Sequence, residues 1–235
     1  EIIENYDFCD TNSKNFTLRH FKLSSFSEIP LVEDGAGCKA LCCAMSFMLR
    51  SQKNDLSAIN KIDVYSENQF MRLDMAARTN LELVITMRGG DKKGSLLWVL
   101  DHTRTPMGKR LIKSWVELPL LSPAKITKRQ NAVSELVADF EMRDGISEAL
   151  KEIKDLERLM TRVLYKTVNP RELMALADTL QKMPQIKALL SSAKSSMLKD
   201  ICNGIDPNYE LSEYIKSAIM KDPPFLIREG GIIND

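Results

Sequence analysis

A short apolar helix, a break and a proline-started second helix follow one another between Leu96 and Leu120, and this stretch constrains the rest of the chain. The first half of the stretch reads as a short apolar helix. Thr105-Pro106 then restarts the chain with a hydroxyl able to accept from an unpaired helix N–H. The proline after it has the fixed φ and missing N–H that suit a first helical position. Two helices are therefore expected to meet at a sharp elbow. From Met107 onward, Met107, Leu111, Ile112, Trp115 and Val116 recur at spacings of one, three and four, while Lys109, Arg110, Lys113 and Glu117 fall elsewhere. A stripe of that kind must be buried against another surface.

The segments on either side supply candidates for that surface. Ser122-Pro123 and Asn169-Pro170 repeat the cap-then-proline start. Ile126, Val133, Leu136 and Val137 line a helix ending near Asp139. Ile146, Leu150 and Ile153 lead to Leu156, Leu159, Met160, Val163 and Leu164, with a bend between Glu152 and Asp155. Leu173, Leu176, Ala177 and Leu180 line the helix after Pro170, and Pro184 is expected to open a further segment through Leu190. Tyr209, Leu211, Ile215, Ala218 and Ile219 make the last helix before Asp222-Pro223-Pro224. These helices share no fixed repeat length, so a solenoid is not indicated.

Upstream, Asp74 can cap a turn of helix with Met75, Leu81 and Leu83 as its apolar contacts, and Phe70 to Leu73 reads as a short strand. Asp34 heads a helix running to about Gln52 through Ala36, Ala40, Leu41, Ala44, Met45, Met48 and Leu49. Residues 1–31 carry short apolar clusters without a sustained period. Residues 55–69 are mostly polar and read as a joint.

Several function classes are disfavoured. The 33 basic residues nearly balance the 32 acidic ones, so there is no overall pull toward nucleic acid or an anionic membrane. No apolar run approaches the roughly 20 residues that span a bilayer, which predicts a cytoplasmic protein with no membrane partner. Five cysteines in a chain of 235 residues favour reduced thiols. Cys38 and Cys42 are four apart, but no second Cys/His pair completes a zinc set, so no metal is expected. Arg88-Gly89-Gly90-Asp91-Lys92-Lys93-Gly94 does not meet the P-loop pattern and reads as a solvated turn before a helix capped by Ser95. Asp101-His102-Thr103 invites a triad reading, but adjacent residues at a helix end point in different directions. His20 has no obvious partner. Asp155 and Glu157 alternate with Lys154 and Arg158 as a solvated face would. Lys109, Arg110 and Lys113 could lie beside a phosphate backbone, with Lys125, Lys128 and Arg129 extending the patch, but no aromatic residue is interleaved within either cluster, which disfavours a single-strand groove, and the default reading is the wet side of amphipathic helices.

Three ordered blocks carry a resemblance. The first is Met71-Arg72-Leu73-Asp74-Met75-Ala76-Ala77-Arg78-Thr79-Asn80-Leu81-Glu82-Leu83, the second the stretch from Leu96 to Leu120, and the third Lys128-Arg129-Gln130-Asn131-Ala132-Val133. In order and spacing they resemble the lever, or core, domain of the MutS family of DNA mismatch repair proteins. The resemblance implies a mainly α fold: a multi-helical lever domain over residues 70–235, preceded by a linker over 55–69 and an incomplete α/β connector remnant of RNase H-like type over 1–54. It further implies a piece of a longer protein, cut near Pro223 to Gly231 where a clamp domain would be inserted. Such a fragment would be non-catalytic and transmit conformational change between a mismatch-binding end and an ATPase end. It would hold no cofactor itself, ATP and Mg belonging to the parent protein. The implied partners, through the parent, are mismatched duplex DNA, a second copy in a dimer and other mismatch repair proteins. Asp74, Arg78, Thr105, Pro106, Gly108 and Arg110, all within the matching blocks, are the structural or hinge candidates. Arg78 and Arg110 are expected to join neighbouring elements through several hydrogen bonds. From the residues alone, a generic helical interaction scaffold remains the competing reading.

Overall fold

The computed structural model describes residues 11–29, 35–52, 56, 59–62, 69–224 and 230–234. The chain divides into two compact units, Glu1–Glu67 and Asn68–Asp235. In the first, α1 (Thr11–His20) packs on α2 (Gly35–Gln52). Cys42, Met45 and Thr17 are buried between them, the Thr17 hydroxyl donating to the Ser13 carbonyl (2.8 Å). The α1 helix lies where the sequence shows no sustained apolar period, because a two-helix contact needs few large side chains. His20 does have a partner, its Nε2 lying 2.6 Å from the Ile59 carbonyl. A 3-10 turn at Phe26–Glu28 is closed by a reciprocal capping box between Ser25 and Glu28. The expected Asp34 cap lies outside the described residues.

The second unit opens on an isolated antiparallel bridge, Phe70 with Leu120, where a short strand was expected. Nine helices follow among the described residues: α3 (Met75–Asn80), α4 (Leu96–Leu100), α5 (Pro106–Glu117), α6 (Pro123–Ala138), α7 (Phe140–Lys151), α8 (Leu156–Leu164), α9 (Pro170–Leu190), α10 (Ser196–Gly204) and α11 (Tyr209–Ala218). The spine is α9, 21 residues and so roughly 30 Å long. Its N-terminal half gives Leu176 and Ala177 to a core shared with Leu159 of α8 and with Ile215 and Ile219 at the end of α11. Its C-terminal half gives Ile186 and Leu190 to a second core, with Ala132 of α6, Met142 and Ala149 of α7, and Leu198 of α10. A third, smaller core joins Leu83, Leu97 and Val116.

Pro184 does not start a new segment; it sits inside a continuous α9. The residue is exposed, so the carbonyl it leaves without an amide donor can face water while the buried flanks hold the axis. Helix α10 was not anticipated. Its N-terminus is capped from α6, the Glu135 carboxylate accepting from the amides of Lys194 and Ser195, the latter at 2.7 Å. Ser122 occupies an N-cap position but makes no side-chain cap hydrogen bond, unlike Thr105 and Asn169. Several expected core residues are on the surface: Val133 and Val137 are 59% and 65% exposed, Met75 is 78% exposed, and Leu81, Leu111, Tyr209 and Leu211 are exposed too. Small residues take the inward positions instead, Ala132 on α6 and Ser212 on α11, because closely packed helices leave room there only for short side chains.

Gly145 marks one such approach. A Cβ there would stand 3.0 Å from Leu189 Cδ2 of α9. Gly145→Val should therefore cost about 1 to 3 kcal/mol through overpacking. Met75→Ala should change stability by less than about 0.5 kcal/mol, as surface substitutions do. Urea unfolding of the two variants checks the contrast.

Candidate functional site at the helix elbow

Local chemistry builds the elbow. Ser95, fully buried, caps α4 by accepting from Trp98 N–H (3.2 Å), and the last turn ends at Asp101. The Asp101 carboxylate accepts from the Thr103 hydroxyl (2.6 Å) and amide (3.3 Å), which turns the chain back on itself. That bond, first of all, holds the Asp101 carboxyl below the ordinary carboxylate range. Thr105 then accepts from Gly108 N–H at 3.0 Å, with Pro106 in the first helical turn. Gly108 has a steric reason to lack a side chain: a Cβ would come within 3.0 Å of the Thr105 hydroxyl oxygen and 3.4 Å of Thr103 Cβ. In Asp101-His102-Thr103 the carboxylate bonds the hydroxyl directly, with no imidazole between them, so the trio is a turn and not a triad.

Forty-five residues further on, Arg110 of α5 finds its partners. Its Nη1 and Nη2 donate to the two Asp155 oxygens at 2.9 and 2.7 Å, and its Nε donates to Glu157 at 2.8 Å. Fork-on-carboxylate pairing of this kind fixes direction as well as distance. Asp155 is also the N-cap of α8, and its carboxyl is held low chiefly by the Arg110 hydrogen bonds. The break between α7 and α8 is thus tied to the elbow. It is tied to α9 as well: Lys154 N–H donates to the buried Thr179 hydroxyl (3.3 Å), and Lys182 pairs with Glu152 at 2.6 Å. Asp155 and Glu157, which the sequence presents as a solvated face, are the anchor of the joint. Asp155 standing before the apolar Leu156 and Leu159 is a cap signal that marks it as a helix start. Nothing local in sequence points from there to Arg110.

Of the six candidates, Thr105, Pro106, Gly108 and Arg110 converge on the elbow. Asp74 and Arg78 belong to α3, where Asp74 caps the helix by accepting from Ala77 N–H (2.6 Å). Arg78 donates from Nε to the Leu73 carbonyl (3.0 Å), a bond within its own segment rather than a bridge among several elements. The basic face is largely engaged within the unit. Lys128 pairs with Asp200 (2.6 Å), Lys125 reaches Gln69 (3.3 Å), and the Arg129 guanidinium lies 3.6 Å from the centre of the Trp115 ring. Among the described residues no three His, Cys, Asp or Glu side chains gather as a metal site.

The sequence also matches known proteins. Residues 76–235 match the family model for MutS domain III. The chain is 41% identical over 229 residues to the DNA mismatch repair protein MutS of Lachnoclostridium phytofermentans, covering 97% of this chain and 25% of that protein. It is 37% identical over 236 residues to that of Alkaliphilus oremlandii (99% and 27%), and 42% identical over 197 residues to that of Listeria monocytogenes serotype 4a (84% and 23%). The chain spans about a quarter of the length of these relatives.

The elbow yields two expectations. Thr105→Ala should lower stability by roughly 1 kcal/mol, since Gly108 N–H loses its acceptor; a change near zero with α5 intact would remove Thr105 from the role of cap. The second concerns pH. Asp101, Asp155 and Glu172 all have depressed carboxyl pKa values in the folded state. Unfolded, they bind protons near pH 4, so their contribution is fully present above that and is lost as pH falls through the lower folded values. Stability should be flat from about pH 8 to 6 and fall below about pH 4, with a shallower fall in Asp155→Asn.

Proposed function

The chain belongs to the MutS family of DNA mismatch repair proteins, and from that membership we propose that it is the non-catalytic lever of a longer protein, carrying displacement between a mismatch-binding end and an ATPase end. The observation that favours this reading is the Arg110 clasp. Helices α5 and α8 each begin at a capped break, and one guanidinium joins the two breaks. Hydrogen-bonded helical turns resist compression, so a push on one such rod reaches its far end, and displacement between rods is taken up at the breaks. Two breaks tied to each other bend as one.

The same reading assigns ATP with Mg to the parent protein. The chain's glycine-rich stretch, Gly89 to Gly94, is followed by Ser95-Leu96, where a phosphate-binding loop requires lysine and then serine or threonine. Mismatched duplex, a second copy in a dimer and other repair proteins are proposed as partners of the parent, met through parts outside this chain. Residues 1–54 are proposed as the end of a connector domain, 55–69 as the linker and 70–235 as the lever. No helix among the described residues is long and apolar enough to cross a membrane.

Two measurements test the proposal. In the full-length protein, spin labels placed on α5 and α11 should change separation between nucleotide-bound and nucleotide-free states, and an unchanged distance would contradict the lever role. The chain alone should neither turn over ATP nor prefer a mismatched duplex to a matched one. Any affinity for DNA should fall with salt, because it rests on scattered Lys and Arg contacts to phosphate. Mismatch preference that survives raised salt, in a titration run at two salt concentrations, would overturn the assignment.

A further inference from the structure

Beside the elbow opens a groove of about 850 Å3 that the clasp does not use. Its floor is apolar, formed by Val84, Leu97, Val99 and Pro106, and Trp98 stands in it with half of its surface exposed (52%). Around this floor stand Lys92 from the glycine-rich turn, Lys109, Arg110 and Lys113 from α5, and Arg158 from α8, with Asp101 as the one carboxylate in the lining. Arg110 is committed to Asp155 and Glu157, and Lys109 approaches Asp101 at 3.7 Å. Arg158 lies 3.7 Å from Asp155 with its side chain 83% exposed, so it is held loosely. Lys92 and Lys113 have no ion-pair partner among the described residues. Counting Asp155 and Glu157 with the lining, five cations face three carboxylates, which leaves the groove positive. Trp98 lines the groove together with these cations.

We propose that this groove binds a nucleotide unit, its base stacked on Trp98 and its phosphates held by Lys92, Lys113 and Arg158. The volume lies within the range of small-molecule sites, and an apolar lining with a few convergent polar groups is their usual composition. Stacking on an exposed aromatic face works for any base, and ammonium groups on long stems meet phosphate as mobile point charges. The unpaired Lys92 and Lys113 and the loosely held Arg158 come from three separate elements, the turn, α5 and α8, so they surround a compact polyanion rather than marking one wet helix face. An acidic peptide would use the same charges but would have no need of the aromatic plate.

Tryptophan fluorescence of the 235-residue chain tests the site, because Trp98 is exposed there while Trp115 lies under Arg129. ATP as probe should quench saturably, and tripolyphosphate, which lacks a ring, should bind at least tenfold more weakly and without quenching. Lys92→Glu combined with Lys113→Glu, both at the surface, should weaken ATP at least tenfold with unchanged circular dichroism. Trp98→Leu should abolish the quench. An oligothymidylate that binds through the same residues and quenches Trp98 more tightly than ATP supports the site and assigns the unit to a strand. The proposal is overturned if the charge reversal has no effect, if tripolyphosphate matches ATP, if nothing saturates at millimolar nucleotide, or if a glutamate-rich peptide outcompetes it.

Discussion

Arg110 is the interaction on which the arrangement of the second unit depends. Helices α5 and α8 each start at their own cap and bury their own apolar residues, but nothing within either helix sets the direction of one against the other. The planar guanidinium meets both Asp155 oxygens and reaches Glu157, so it fixes an orientation that a flexible ammonium could not. Ion pairs at exposed positions add little stability as a rule. The worth of this one is geometric. It is made at the N-cap of α8, where a shift of one residue would also lose the cap.

Around the clasp, the packing separates what must be rigid from what is left open. The spine α9 takes one core on each half, and its middle holds the joint through Thr179 and Lys182. Large apolar side chains stay exposed on α4, at Trp98 and Val99, and on α6, at Val133 and Val137. Single exposed apolar residues are ordinary, but runs along one helix face mark surfaces where other matter docks. That pattern suits a segment whose relatives are about four times its length.

Much of this was legible in the residues, and for identifiable reasons. Cap-then-proline pairs announce helix starts through local chemistry alone, so the starts of α5, α6 and α9 and the elbow itself were readable, as was the break before Asp155. The blocks from Met71 to Val133 were long and ordered enough to point to the family, which the match over residues 76–235 establishes. What local pattern cannot carry is which face of a helix turns inward when small residues compete with large ones. Ala132 displaced Val133 and Val137, and Ser212 took the inward place beside Tyr209 and Leu211. Pro184 misled because a proline's cost depends on whether its position faces water. The bonds from Arg110 to Asp155, and from Glu135 to the start of α10, span 45 and 60 residues and leave no trace in either segment alone.

The central claim is that one side chain makes two breaks behave as one, and amide hydrogen exchange reads it directly. Comparing the wild-type chain with Arg110→Ala, the hydrogen-bonded amides of Gly108 and Lys109 at the start of α5 and of Lys154 and Arg158 at the α8 break should lose protection together and by the same factor, while the α9 core amides at Leu176 and Leu190 keep theirs. Loss of protection at only one of the two breaks, or at neither, would contradict the account.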